Sequence, residues 1–147
     1  MSKFTKKTKR RRLDIPRPRN GGNWTEAQFR AFITRALRGA RWPQKYECIR
    51  KACVGEGINP STGRKCKLHL CPQCGGTFPQ NQMQADHVVP VVGPEGFVDW
   101  NTYIERLFCE ADGFSAICKD CHKRITEHER KLRAAHAEKS SGTEELF

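Results

Sequence analysis

Two copies of C-x-x-C, Cys71/Cys74 and Cys118/Cys121, constrain what this chain can fold into more than any other feature. Cysteines at that spacing present both sulfurs from one tight turn, and two such turns supply the four thiolates of a tetrahedral zinc ion at about 2.3 Å. The span between the pairs is too long for a simple zinc ribbon, so the chain must build something inside the loop that zinc closes. That loop holds Asp86-His87, and the second pair runs directly into His122. The predicted core is modest, with 37% apolar and 29% charged residues in a 147-residue chain. A structural zinc ion, worth an apparent ~10–16 kcal/mol in small peptides, is a substantial staple for such a core.

Eight cysteines also fit a secreted disulfide scaffold, but the N-terminus argues against it. Met1-Ser2-Lys3-Phe4-Thr5-Lys6 runs into further basic residues with no apolar stretch of the kind a signal peptide carries. No run of about 18 apolar residues is present to cross a membrane. The expectation is a cytoplasmic protein whose reduced thiols are available to metal. Cys48, Cys53, Cys66 and Cys109 form no C-x-x-C and are read as small apolar groups or free thiols.

The net charge of +11 is unevenly spread. Residues 1–20 carry nine Lys/Arg against Asp14, while the remaining 18 basic residues are nearly balanced by 15 acidic ones. A basic block that cannot pack attracts polyanions, which makes DNA the leading partner and Lys6, Lys7, Lys9, Arg10, Arg11 and Arg12 candidate contacts. Residues 1–23, with Pro16, Pro18 and Asn20-Gly21-Gly22, are expected to stay disordered until DNA is bound.

From residue 24 the pattern turns helical. Thr25 and Gln28 make a capping box, and Phe29, Phe32, Ile33, Ala36 and Leu37 recur at helical spacing up to Gly39. Pro43 opens a second helix that Gly55 and Gly57 stop, so residues 24–57 read as a helical segment. Residues 58–139 read as a mixed α+β domain, beginning with a turn at 59–63. Within it, Met83–Val89 is strand-like up to Pro90, and Thr102 with Glu105 caps a short helix. A basic helix runs from Cys121 to about Ala137 and offers Lys123, Arg124 and Arg130 to a phosphate backbone. Residues 140–147 are expected to fray. His69 and His128 are read as packing or surface histidines.

If zinc joins the two cysteine pairs, the strand ending in Asp86-His87 and the helix carrying His122 face each other. One carboxylate and two imidazoles then meet at a point that suits a divalent ion, Mg or Mn, with an imidazole matched to proton removal near neutral pH. Beside basic surfaces, phosphodiester cleavage is the chemistry this implies.

Cys71-x-x-Cys74, Ala85-Asp86-His87-Val88-Val89-Pro90, Asn101 and Cys118-x-x-Cys121-His122 resemble the zinc-stapled HNH endonucleases, whose site is a ββα-metal finger. Trp100-x-x-Tyr103-Ile104-x-Arg106-Leu107-Phe108 is further similar to small HNH proteins encoded by bacteriophages. The resemblance covers about residues 65–130. It implies that His87 is the general base, that Asp86 and His122 hold the catalytic Mg or Mn, and that Asn101 orients His87. Gly113, five residues before Cys118, is the other position for that middle residue. It also implies cleavage to 5′-phosphate and 3′-hydroxyl ends, a host-cell cytoplasmic setting, and room for a phage protein partner. The alternative is a non-catalytic zinc-ribbon module that binds nucleic acid or regulates. Such a module has no need of Asp86-His87 or of a histidine directly after Cys121.

Overall fold

The computed structural model describes residues 14–141, the last two by backbone alone. These residues form four α-helices and two small antiparallel sheets, a mixed α+β arrangement, in two compact units that divide between Arg41 and Trp42.

In the first unit, Asn20, Gly21 and Gly22 all take positive φ, which lets residues 19–24 close into a turn bridged between Arg19 and Trp24. Order therefore begins before residue 23, earlier than the proline and glycine content suggests. The Arg19 guanidinium bonds Glu26 at 2.8 Å and lies 4.6 Å from the Phe29 ring. Helix α1 (Glu26–Gly39) starts from the expected capping box: Thr25 Oγ1 accepts from Gln28 N–H, and Gln28 Oε1 accepts from Thr25 N–H.

The second unit opens with α2 (Pro43–Lys51), which has proline at its first helical position. The glycines after it do more than end the helix. Residues Cys53–Ile58 form β1, which pairs antiparallel with β2 (Lys65–Leu70) around a bulge between Cys53 and Gly55. Asn59 turns the hairpin, its N–H bonding the Arg64 carbonyl and its side chain accepting from Ser61 N–H. Strand β3 (Thr77–Pro79) completes this sheet against β2, and Leu70 paired with Thr77 brackets the first cysteine turn.

The second sheet is a two-stranded ribbon. Strand β4 (Met83–His87) pairs with β5 (Phe114–Cys118) from Met83↔Cys118 to His87↔Phe114. Helix α3 (Trp100–Leu107) lies in the connection between these strands, and α4 (Lys119–Ser141) leaves β5 without a break. Cys48 and Ile49 of α2 join Met83, Phe114, Ala116 and Ile117 in the core together with Cys71, Cys118 and Cys121. Because α2 buries its apolar side on β4 and β5, it belongs with the ribbon. The two compact units accordingly divide at 41/42.

Helix α3 is capped differently from the expected Thr102/Glu105 box. Asp99 is the N-cap: its carboxylate accepts from Thr102 N–H at 2.7 Å and from Thr102 Oγ1 at 2.9 Å. These two hydrogen bonds hold the Asp99 carboxyl below its usual range. Aspartate outcompetes threonine here because it stands three residues ahead of a free amide and can accept twice.

Beyond α3 the chain doubles back. Gly113 N–H bonds the Glu110 carbonyl, and the Gly113 carbonyl accepts from Val88 N–H at 3.0 Å, which closes the base of the inserted segment. A Cβ at Gly113 would lie 2.6 Å from Cys109 Sγ and 2.9 Å from Cys109 Cβ. Gly113→Ala should therefore destabilise the unit by about 1–3 kcal/mol through overpacking. Chemical denaturation measures this, and an unchanged midpoint would show that the turn has room to spare.

Candidate active site and metal centre

The first cysteine turn is built by backbone hydrogen bonds. Cys71 N–H donates to Gly76 O, Gly75 N–H donates to Cys71 O, and Gly75 sits at φ +72° to complete the curl. The second turn is the β5–α4 junction, where Cys118 ends the strand and Cys121 falls in the first turn of the helix. Strand register and core packing bring both turns together, so that one sulfur from each of Cys71, Cys74, Cys118 and Cys121 lies within 4.8 Å of the others. Cys74 and Cys118 are 3.9 Å apart. Sulfurs around one tetrahedral zinc ion are separated by about 3.8 Å, given a metal–sulfur bond of about 2.3 Å. The donor set fits the ion that the spacing calls for.

The four sulfurs do not share one electrostatic setting. Burial alone raises the Cys71 thiol, yet the amides of Cys118, Cys74 and Gln73 point at its sulfur and together bring it down to about 6. Cys121 is pushed up to about 12, first by burial and then by the neighbouring Cys118 sulfur, with Arg124 pulling the other way. Arg124 Nη2 donates to Cys121 Sγ at 3.0 Å. Of the three α4 residues read as phosphate contacts, Arg124 is thus turned to the sulfur cluster. Lys123 and Arg130 are exposed. At about 100° per residue they share one stripe of α4, roughly a quarter-turn round the helix from His122.

At the other end of the ribbon, Asp86 and His122 meet. Asp86 Oδ1 and His122 Nε2 are 3.3 Å apart, and their side chains are 20% and 30% exposed. The pair is sheltered yet open to solvent on one side. Adjacent ligands of one octahedral ion with bonds of about 2.1 Å lie about 3.0 Å apart, so a small shift of either side chain would let the pair share one ion. Burial raises the Asp86 carboxyl, and the positive character of His122 and then His87 opposes it without cancelling it. A half-buried carboxylate in contact with an imidazole is a pair of donors of the kind divalent cations take.

His87 is the last residue of β4 and stacks its ring at 4.7 Å and 53° on Phe114, its cross-strand partner. Its Nε2 lies 3.0 Å from the Leu107 carbonyl. A carbonyl only accepts, so Nε2 carries the proton and the lone pair resides on Nδ1. The contact that orients this histidine is a backbone group at the end of α3, which has no signature in the sequence. Asn101 stands exposed on the first turn of α3. Gly113 contributes its carbonyl to Val88 and leaves no space for a side chain.

Lys6, Lys7, Lys9, Arg10, Arg11 and Arg12 lie outside the described residues. His69 is 3% exposed, between Cys53 and Phe78 in the first sheet, and its Nδ1 has no hydrogen-bond partner. His128 is exposed beside Gln73, Cys121 and Arg124. Among the described residues no helix is long and apolar enough to cross a membrane. Comparison with protein-family models, curated proteins and solved structures finds no match to this chain.

Cys74→Ser should lower zinc content and soluble yield together, because the fourth ligand of a structural site contributes directly to folding. Elemental analysis of purified protein checks this, and a folded, metal-free variant of wild-type stability would remove the staple from the account.

Proposed function

We propose that this protein is a metal-dependent DNA endonuclease of the HNH type, with β4, β5 and α4 as its ββα-metal finger. The observation that carries the reading is the 3.3 Å approach of Asp86 to His122, with His87 next in the chain on the same strand. A zinc-ribbon module that only binds has no use for a half-buried carboxylate between two imidazoles. Lys123 and Arg130 beside His122, together with the basic residues of the N-terminus, support DNA as the substrate.

In this reading Asp86 Oδ1 and His122 Nε2 hold Mg or Mn. Such an ion would supply positive charge to the reacting phosphate and its leaving oxygen. His87 acts from Nδ1: its proton sits on Nε2 and is donated to Leu107, so Nδ1 takes a proton from the attacking water. The Phe114 ring packs against the imidazole at a tilt and limits its rotation. Products with 5′-phosphate and 3′-hydroxyl ends follow from attack at phosphorus with loss of the 3′ oxygen.

Nicking of supercoiled plasmid should require Mg or Mn and stop with EDTA. His87→Ala should lose cleavage about 10²–10⁴-fold and keep metal binding, since it removes only the proton acceptor. His122→Ala should weaken the metal, so high Mn concentration restores part of its activity by mass action. Equal rescue of both variants would reverse the assigned roles, and metal-independent binding without cleavage by the intact protein would favour the non-catalytic module.

Deleting residues 1–13 removes seven Lys/Arg and no acid. DNA affinity should fall and its dependence on salt should flatten, while thermal stability is retained. A salt series with unchanged slope would assign the basic segment to another partner.

A further inference from the structure

The base that the proposed function requires is oriented by the Leu107 carbonyl, and Leu107 is the last residue of α3, where the chain begins to reverse. A carbonyl at a helix end is a usable orienting group only if the residues just after it are held. Phe108 ends the helix at φ −106°, ψ 44°, outside both the helical and extended regions, and Cys109 follows. Two contacts fix this turn, and both come from one residue outside the ribbon and its inserted segment. Trp42 Nε1 donates to the Cys109 carbonyl at 2.6 Å, and the Trp42 ring meets the Phe108 ring edge-on, at 5.5 Å and 68°.

Trp42 is itself firmly mounted. It precedes Pro43, which restricts its backbone to extended conformations, and it leads into α2, whose Cys48 and Ile49 are buried in the core. As the N-cap of α2 it makes no side-chain capping bond, and its indole N–H serves Cys109 instead. On the other side of the turn, a Cβ at Gly113 would collide with Cys109. The supports thus run from the α2 anchor through Trp42 and the 108–109 turn to the Leu107 carbonyl and His87 Nε2.

We propose that Trp42 is a positioning residue for His87: its indole N–H and ring fix the turn from which the Leu107 carbonyl selects the His87 tautomer and aims Nδ1. This rests on the nuclease reading for its effect on cleavage, but the hydrogen bond to His87 is observable without any reaction. Trp42→Phe keeps a ring against Phe108 and removes only the N–H donor. It should retain zinc, fold and DNA affinity, and lower the maximal nicking rate about 10–10²-fold, the scale of a catalytic group displaced by a fraction of an ångström to 1 Å. Ring ¹⁵N shifts of His87 should show the Nε2–H tautomer alone in the wild-type protein and a mixture of tautomers in Trp42→Phe.

The two readouts separate the two claims. A wild-type protein that does not nick DNA in Mg or Mn defeats the nuclease reading, and the ¹⁵N comparison still decides the role of Trp42. Identical His87 signals in both proteins would overturn the positioning role, whether or not the nicking rate falls. If Trp42→Phe does not fold, site-specific replacement of Trp42 by β-(3-benzothienyl)alanine, which exchanges the N–H for sulfur at nearly the same shape, carries the same comparison.

Discussion

Four sulfurs within 4.8 Å of one another are the constraint on which the rest of the second unit depends. Few side chains here are sealed from solvent, and the two largest fully buried ones are Ile117 and a sulfur ligand, Cys71. Hydrophobic burial on this scale leaves little surplus over conformational entropy, so a metal held by these four sulfurs would be part of the core. Tying Cys71/Cys74 to Cys118/Cys121 joins the first sheet to the end of β5 and the start of α4. Everything between, including β4 and the inserted α3, is then held inside a closed loop.

The same hairpin carries the Asp86–His122 pair. Met83↔Cys118 is the end of the β4–β5 ribbon at the sulfur cluster, and His87↔Phe114 is the other end. Five-residue strands rising about 3.3 Å per residue separate the staple from His87 by roughly 13 Å, while α4 folds His122 back to Asp86. A short rigid ribbon between two centres fixes their geometry better than a loop does. Arg124 bonds Cys121 within the same helix, while Lys123 and Arg130 are exposed on α4.

The parts of this arrangement that depend on local chemistry were readable from the sequence. The Thr25/Gln28 box, proline at the start of α2 and the two C-x-x-C turns each encode a structure within four residues. Strand β1 was not readable, because its Cys-Val-Gly-Glu-Gly-Ile has neither alternation nor enough β-branched residues, and pairing with β2 makes it a strand. The α3 cap went to Asp99 over Thr102 because a carboxylate that accepts two hydrogen bonds prevails. The approach of Asp86 to His122 was legible through their spacing to the cysteines. The Leu107 carbonyl was not, since a backbone group leaves no mark in a sequence, and neither was the contact of Trp42 with a residue 67 positions away.

The central claim is that one chain holds two metal ions of different kinds at the two ends of one β-ribbon. Anomalous diffraction from crystals soaked in Mn, recorded at the zinc and manganese edges, tests this most directly. The account predicts a zinc peak among the sulfurs of Cys71, Cys74, Cys118 and Cys121, and a separate manganese peak between Asp86 Oδ1 and His122 Nε2. A manganese peak elsewhere, or none at Asp86 and His122 with the zinc peak in place, would contradict it.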